Sequence, residues 1–406
     1  MTALLTWSTG CDSGERGLLA AVRTGNLIAV MPARVLWPNE MQPQCERPEE
    51  TGALVRAPYV QRVGDHGASV LWRSDAAALE HVTFWDPGDV SEGREVYAVE
   101  STGKWVPRHA RLDDLRPGTV HCYVLQRDEA GEEKVVAGPY PFRTAPEGSD
   151  EDEEVHVVVF GDSGTGLEEQ RLLAEQMRTV RSDLILHTGD IAYEGGDDDE
   201  LEAHVFDVYA PLLRSVPMFP SLGNHDLVAN RGEGFARAFE LPRASDPEGV
   251  DRWYSFDFGP AHFVALDSTA DFEEQVAWLD RDLEATDLPW VVVYFHHPLY
   301  SSGVHGSSHD RREEIAPVLA RHHVPLVFNG HDHDYERTIP IDGTTYVVTG
   351  GGGRPITRAD GDSAFTAFVE SAHHFVYLVI QGRVARLYAI DATGRVFDSA
   401  ELETER

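Results

Sequence analysis

Lysine is nearly absent. Lys104 and Lys134 are the only two, the remaining basic residues being Arg, and 34 Lys+Arg face 69 Asp+Glu for a formal charge of -35 over 406 residues. No basic cluster could hold a phosphate backbone, which argues against a nucleic-acid binder. Cysteine is also scarce. Cys11, Cys45 and Cys122 are too few and too scattered for a disulfide framework or a zinc ribbon, and leave room for one disulfide of undetermined pairing. No apolar run approaches the ~18 residues of a membrane span. Met1 to Gly10 contains no Lys or Arg, so it lacks the charged region of a signal peptide. Gly10-Cys11 loosely resembles the end of a lipoprotein signal, but the residues before it fit poorly. No internal repeat is evident.

What is present is ample core material, with 42% hydrophobic residues, and 19 histidines. The chain divides by pattern. Residues 1–54 read as a largely irregular segment. Residues 55–147 carry short alternating runs separated by turn signals such as Arg116-Pro117-Gly118, the mark of a β-sandwich. Leu112 to Leu125 resembles the late strands of a fibronectin type III domain, and the expectation is a structural or contact module. Residues 148–154 (GSDEDEE) read as an acidic, solvated linker. From residue 155 to 406 apolar strands alternate with amphipathic helices before the chain returns to hairpins. That order predicts an α/β domain with ligands at the carboxyl ends of its strands.

Five polar clusters follow predicted strands: Gly161-Asp162-Ser163-Gly164, Gly189-Asp190-Ile191-Ala192-Tyr193, Gly223-Asn224-His225-Asp226, His296-His297-Pro298 and Gly330-His331-Asp332-His333. One alone is a turn. Five together offer carboxylate, amide, phenol and imidazole, a donor mix for Fe, Mn or Zn and unlike the all-oxygen shells of Ca and Mg. His331 and His333, two apart on an extended segment, project to one side and suit neighbouring metals, with Asp332 pointing away as a solvated or supporting carboxylate.

In series these motifs resemble the dinuclear metallophosphoesterases, and specifically their purple acid phosphatase branch with its upstream fibronectin-like domain. The resemblance implies an α+β sandwich of two mixed sheets flanked by helices, preceded by an all-β sandwich. It implies one metal on Asp162, Asp190, Tyr193 and His333, and a second on Asp190, Asn224, His296 and His331, with Asp190 bridging. Most relatives carry a histidine two residues after the first aspartate; Gly164 stands there, and the Tyr193 phenolate is the compensating donor, which favours Fe(III). The second metal is a divalent Zn, Fe or Mn. His225 and His305 are the implied substrate histidines, with Asp226 orienting His225. Gly350 to Gly353 lacks the Lys-Ser/Thr of a P-loop and reads as a tight turn; Asp197 to Glu200 reads as a solvated loop.

The implied activity is acid phosphatase hydrolysis of small phosphate monoesters. A phosphodiesterase or nucleotidase on the same site is the alternative, with a non-catalytic cell-surface binding protein the remaining one. The resemblance and an oxidisable iron centre suggest an extracytoplasmic protein, secreted, periplasmic or lipid-anchored through Cys11, without a clear signal peptide.

Overall fold

The computed structural model describes the side chains of residues 45, 54–87, 93–99, 105–148, 153–242, 252–361 and 363–406, and the backbone of 20–24 and 27–31. Cys11 and most of the acidic stretch 148–154 lie outside the described residues. Within the segment expected to be irregular, β1 (Ala20–Thr24) and β2 (Leu27–Met31) pair as an antiparallel hairpin.

The N-terminal region is all antiparallel. β3 (Arg56–Gln61), β4 (Gly67–Arg73) and β7 (Arg108–Asp113) form one sheet; β5 (Glu80–Trp85), β6 (Arg94–Tyr97), β8 (Val120–Glu129) and β9 (Glu132–Arg143) form another. Sequence alternation finds all of these but β3, in which every residue except Ala57 is buried. Cys45 and Cys122 form a disulfide. This region is joined to the rest of the chain through one continuous apolar core. Tyr59 donates to the Ala238 carbonyl (2.7 Å), Tyr123 to that of Arg214 (2.8 Å), and Arg56 and Arg73 share Glu202.

Two mixed sheets make up the larger part. The first runs β12 (Met218–Pro220), β11 (Leu184–His187), β10 (Glu154–Phe160), β20 (His374–Gln381), β21 (Val384–Asp391) and β22 (Val396–Glu403). Its first three strands are parallel and the rest antiparallel. The second runs β13 (Tyr254–Phe258), β14 (Ala261–Ala265), β15 (Trp290–Tyr294), β16 (Leu326–Asn329), β18 (Thr345–Thr349), β17 (Tyr335–Thr338) and β19 (Thr366–Glu370).

Period-two alternation places its residues. On β15, Val292 and Tyr294 enter the main core, while Val291, Val293 and the following Phe295 join a second core under α5 (Glu273–Ala285) and α6 (His309–Arg321). A strand buried on both faces reads as the unbroken run Trp-Val-Val-Val-Tyr. Helix α1 (Glu168–Met177) follows β10; α2 (Asp198–Leu201) and α3 (Asp207–Leu213) follow β11, joined by a π-helical turn over Glu202–Phe206; α4 (Glu233–Ala238) follows β12. The acidic run at residues 197–200 is therefore the start of a helix and not a loop. Asp197 caps it by accepting from Glu200 N–H (2.8 Å).

No helix among the described residues is long and apolar enough to cross a membrane.

Candidate metal centre

Five loops meet where strands of both sheets end. β10 leads to Asp162, β11 to Asp190, β12 to Asn224, β15 to His296, and β16 to His331 and His333. Asp162 and Asp190 are buried side by side, and a single hydroxyl stands between them: Tyr193 Oη is 3.0 Å from Asp162 Oδ1 and 2.9 Å from Asp190 Oδ2.

The histidines are aimed by their outer nitrogens. His296 Nδ1 donates to the Thr188 carbonyl (2.9 Å), so Nε2 faces inward, 3.4 Å from Asp190 Oδ2 and 3.2 Å from Asn224 Oδ1. His333 Nδ1 donates to the Pro355 carbonyl (3.1 Å) and presents Nε2 3.6 Å from Asp162 Oδ1. His331 Nδ1 lies 3.3 Å from His296 Nε2. Asp162, Asp190 and His296 each offer a ligand atom within 4.8 Å of the others. All seven residues singled out as metal ligands thus lie in one cluster, with Asp162, Asp190, Tyr193 and His296 buried and Asn224, His331 and His333 half-buried.

The electrostatics demand positive charge there. Burial pushes the Asp162 carboxyl well above the carboxylate range. Asp190 is held below that range because His296 outweighs its burial. Burial opposes a charge on His296, but Asp190 and Asp162 raise it to about 10. Burial and then His296 take His331 down to about 2. Asp190 and His296 thus favour each other's charged forms.

The backbone is strained at the same points. Asp162 (φ 56°), Asp190 (φ 54°) and His331 (φ 72°) all sit in the left-handed region that non-glycine residues seldom adopt. His331 and His333 are therefore brought together by a turn and not by an extended segment. Close approach explains two glycines. A Cβ on Gly223 would stand 2.2 Å from Asp190 Oδ1, and one on Gly350 would stand 2.1 Å from the Asp332 carbonyl. The Gly350–Gly353 run thus packs its backbone against the Asp162 loop.

Asp226 does something other than expected. It accepts from the N–H groups of Asp190 (2.9 Å), Ile191 (2.8 Å) and Gly223 (2.8 Å), holding two loops together, while the His225 ring is fixed by Nδ1 donating to the Glu194 carbonyl (2.7 Å). Asp332 is fully buried and not solvated. It accepts from His305 N–H (2.7 Å), Gly306 N–H (3.2 Å) and Ser301 Oγ (2.5 Å), pinning the loop that carries His305. The exposed His305 ring rests 4.2 Å from that of His331, and His225 packs 4.6 Å from Tyr193. His297 Nδ1 lies 2.8 Å from Ser268 Oγ, and its ring centre lies 4.4 Å from that of His331.

Sequence reasoning missed Arg354, whose guanidinium lies 4.5 Å from the Tyr193 ring centre and pairs with Glu194. No motif announces it; only the fold brings the glycine turn beside Tyr193.

Residues 155–335 match the calcineurin-like phosphoesterase family. The structure of a purple acid phosphatase, PPD1, isolated from yellow lupin (Lupinus luteus) seeds superposes with a TM-score of 0.75 over 86% of this chain and 74% of that one, at 20% identity. The fold is that of a metallophosphoesterase. Among curated relatives, purple acid phosphatase 15 of Arabidopsis thaliana is 28% identical over 286 residues, or 60% of this chain and 53% of that protein. Acid phosphatase type 7 of Mus musculus is 29% identical over 341 residues, or 73% of each. The chain spans about half the length of the Arabidopsis relative.

Proposed function

We propose that this chain is a metal-dependent phosphatase acting on small phosphate monoesters through a dinuclear centre of Fe(III) and a divalent Zn, Fe or Mn. The observation that carries the reading is the convergence of two buried carboxylates, a phenol, an amide and three inward-facing imidazole nitrogens on one point. The donor set fits such ions, and the carboxylates need a compensating cation. Asp162, Asp190, Tyr193 and His333 hold the ferric ion; Asp190, Asn224, His296 and His331 hold the divalent one.

Bound there, the two ions would supply Lewis acidity toward phosphoryl oxygens and toward an attacking water. The chain's own residues do the rest. Asp226 and the left-handed turns fix Asp190 before substrate arrives, so no reorganisation is needed during reaction. His225, with Nδ1 committed to Glu194, leaves Nε2 to meet a phosphate oxygen. His305, on the loop anchored by Asp332, holds a proton for the leaving alkoxide.

The catalytic unit begins at residue 155, after an acidic linker over 148–154. Residues 55–147 form a fibronectin type III-like β-sandwich that acts as a structural partner, supported by its two antiparallel sheets and shared core. The Cys45–Cys122 disulfide supports an extracytoplasmic location, where such bonds persist.

The test is kinetic. p-Nitrophenyl phosphate should be hydrolysed with a higher kcat/KM than its bis ester, and Asp190→Ala should abolish both; a higher kcat/KM for the bis ester would establish the diesterase reading instead.

A further inference from the structure

A second cluster of donor atoms lies far along the chain from this centre, on the β6-β5-β8-β9 sheet. His81 on β5 is only 2% exposed, yet neither ring nitrogen has a hydrogen-bond partner. Register places its neighbours on the same face. Glu95 on β6 pairs with Thr83, two residues from His81; Gln126 on β8 pairs with His81; and Glu133 on β9 pairs with Asp128, two residues from Gln126.

A ligand atom from each of His81, Glu95 and Glu133 lies within 4.8 Å of the other two. His81 Nε2 is 3.3 Å from Glu133 Oε1, without the geometry of a hydrogen bond. Two ligands each about 2.1 Å from a tetrahedral ion stand about 3.4 Å apart.

We propose that His81, Glu95 and Glu133 form a mononuclear site for a zinc-class divalent cation. One imidazole and two carboxylates are a borderline-hard donor set, and with a neutral imidazole their charge balances a divalent ion. Gln126 holds Glu133 in place by donating from Nε2 to its Oε2 (3.3 Å), and is itself held by Thr83 Oγ1 donating to its Oε1 (2.5 Å). Among the described residues no Lys or Arg pairs with either glutamate, so both carboxylates are free to ligate. They are exposed, which leaves the ion a path in and solvent to complete the coordination. The buried imidazole supplies the fixed vertex. The ion would tie together β5, β6 and β9 of one sheet.

The full-length protein is stripped with chelator, reloaded with zinc, passed through gel filtration, and its metal content measured. The wild type should hold one equivalent more than the double variant Glu95→Gln/Glu133→Gln and one more than His81→Asn, while hydrolysis by both variants stays at the wild-type level. Equal zinc content in the wild type and the glutamine variant would overturn the site. The glutamine variant changes only exposed carboxylates and decides the matter even where His81→Asn fails to fold. If the dinuclear reading is wrong, the total falls in every sample and the difference of one equivalent remains.

Discussion

Asp226 offers a sharp test of how the centre is built. Its Oδ2 accepts from Asp190 and Gly223, and its Oδ1 from Ile191, all three N–H groups being buried. In Asp226→Asn the side-chain amide keeps the size and can accept from two of the three. It then turns NH2 toward the third donor. One buried N–H left without a partner costs about 1–3 kcal/mol, and two charge-assisted bonds become neutral ones of about half the strength. With the carboxyl ionised, above the pH of about 7 to which burial raises it, the sum is about 2.5–6 kcal/mol of folding stability, a substantial part of what a domain possesses. Because the lost contact frees the loop that holds Asp190 in its left-handed conformation, metal affinity should fall in the same variant. Denaturant unfolding of the chelator-treated protein measures the first effect and metal content after gel filtration the second. A variant within about 0.5 kcal/mol of wild type that retains full metal content would refute the reasoning.

The remaining predictions concern single groups. Tyr193→Phe should abolish the visible charge-transfer band of the iron-loaded protein while leaving part of the activity; an iron-loaded variant that keeps the band would remove Tyr193 from the ligand set. His262, buried between Asp257 and Asp282, is raised to about 9 because those carboxylates outweigh its burial. A folded value above the unfolded ~6.5 means the stabilisation is complete below about pH 6.5 and is lost as pH rises through 9; 2.5 pH units correspond to at most about 3 kcal/mol. His262→Gln should therefore destabilise clearly at pH 6 and little at pH 10, and a difference independent of pH would contradict this. Asp332→Asn should loosen the His305 loop and lower kcat with metal content unchanged; loss of metal would show that Asp332 acts on the centre itself.

The sequence was most legible where chemistry and local structure coincide. Gly-Asp after an apolar strand is a local signal, and Asp162 and Asp190 do follow β10 and β11. Helices such as Glu273–Ala285 carry their own periodicity, and a strand such as Leu184–His187 shows as a short apolar run. What could not be read was backbone-directed and long-range. Asp226 adjoins His225 in sequence, which suggests that it orients that ring, but its partners are three backbone amides, two of them 35 and 36 residues away and the third that of Gly223. An extended segment leaves Asp332 either solvated or supporting the site, whereas His331 in a left-handed turn sends it into the interior, where it supports the His305 loop. Arg354 reaches Tyr193 only through tertiary folding. β17 and β19 escape because both are short, mixed sequences with little alternation, although β17 pairs on both sides and only β19 lies at the edge.

The central claim is that the seven converging residues hold two metal ions and that these ions drive phosphate ester hydrolysis. Metal content, visible spectrum and p-nitrophenyl phosphate turnover, taken on one aerobically purified sample before and after chelation, test it most directly. The account predicts two equivalents of metal at this centre, iron among them, with activity and colour lost on chelation and restored by adding iron and zinc. Turnover that survives complete removal of metal, or a two-metal protein that hydrolyses no phosphate ester, would contradict it.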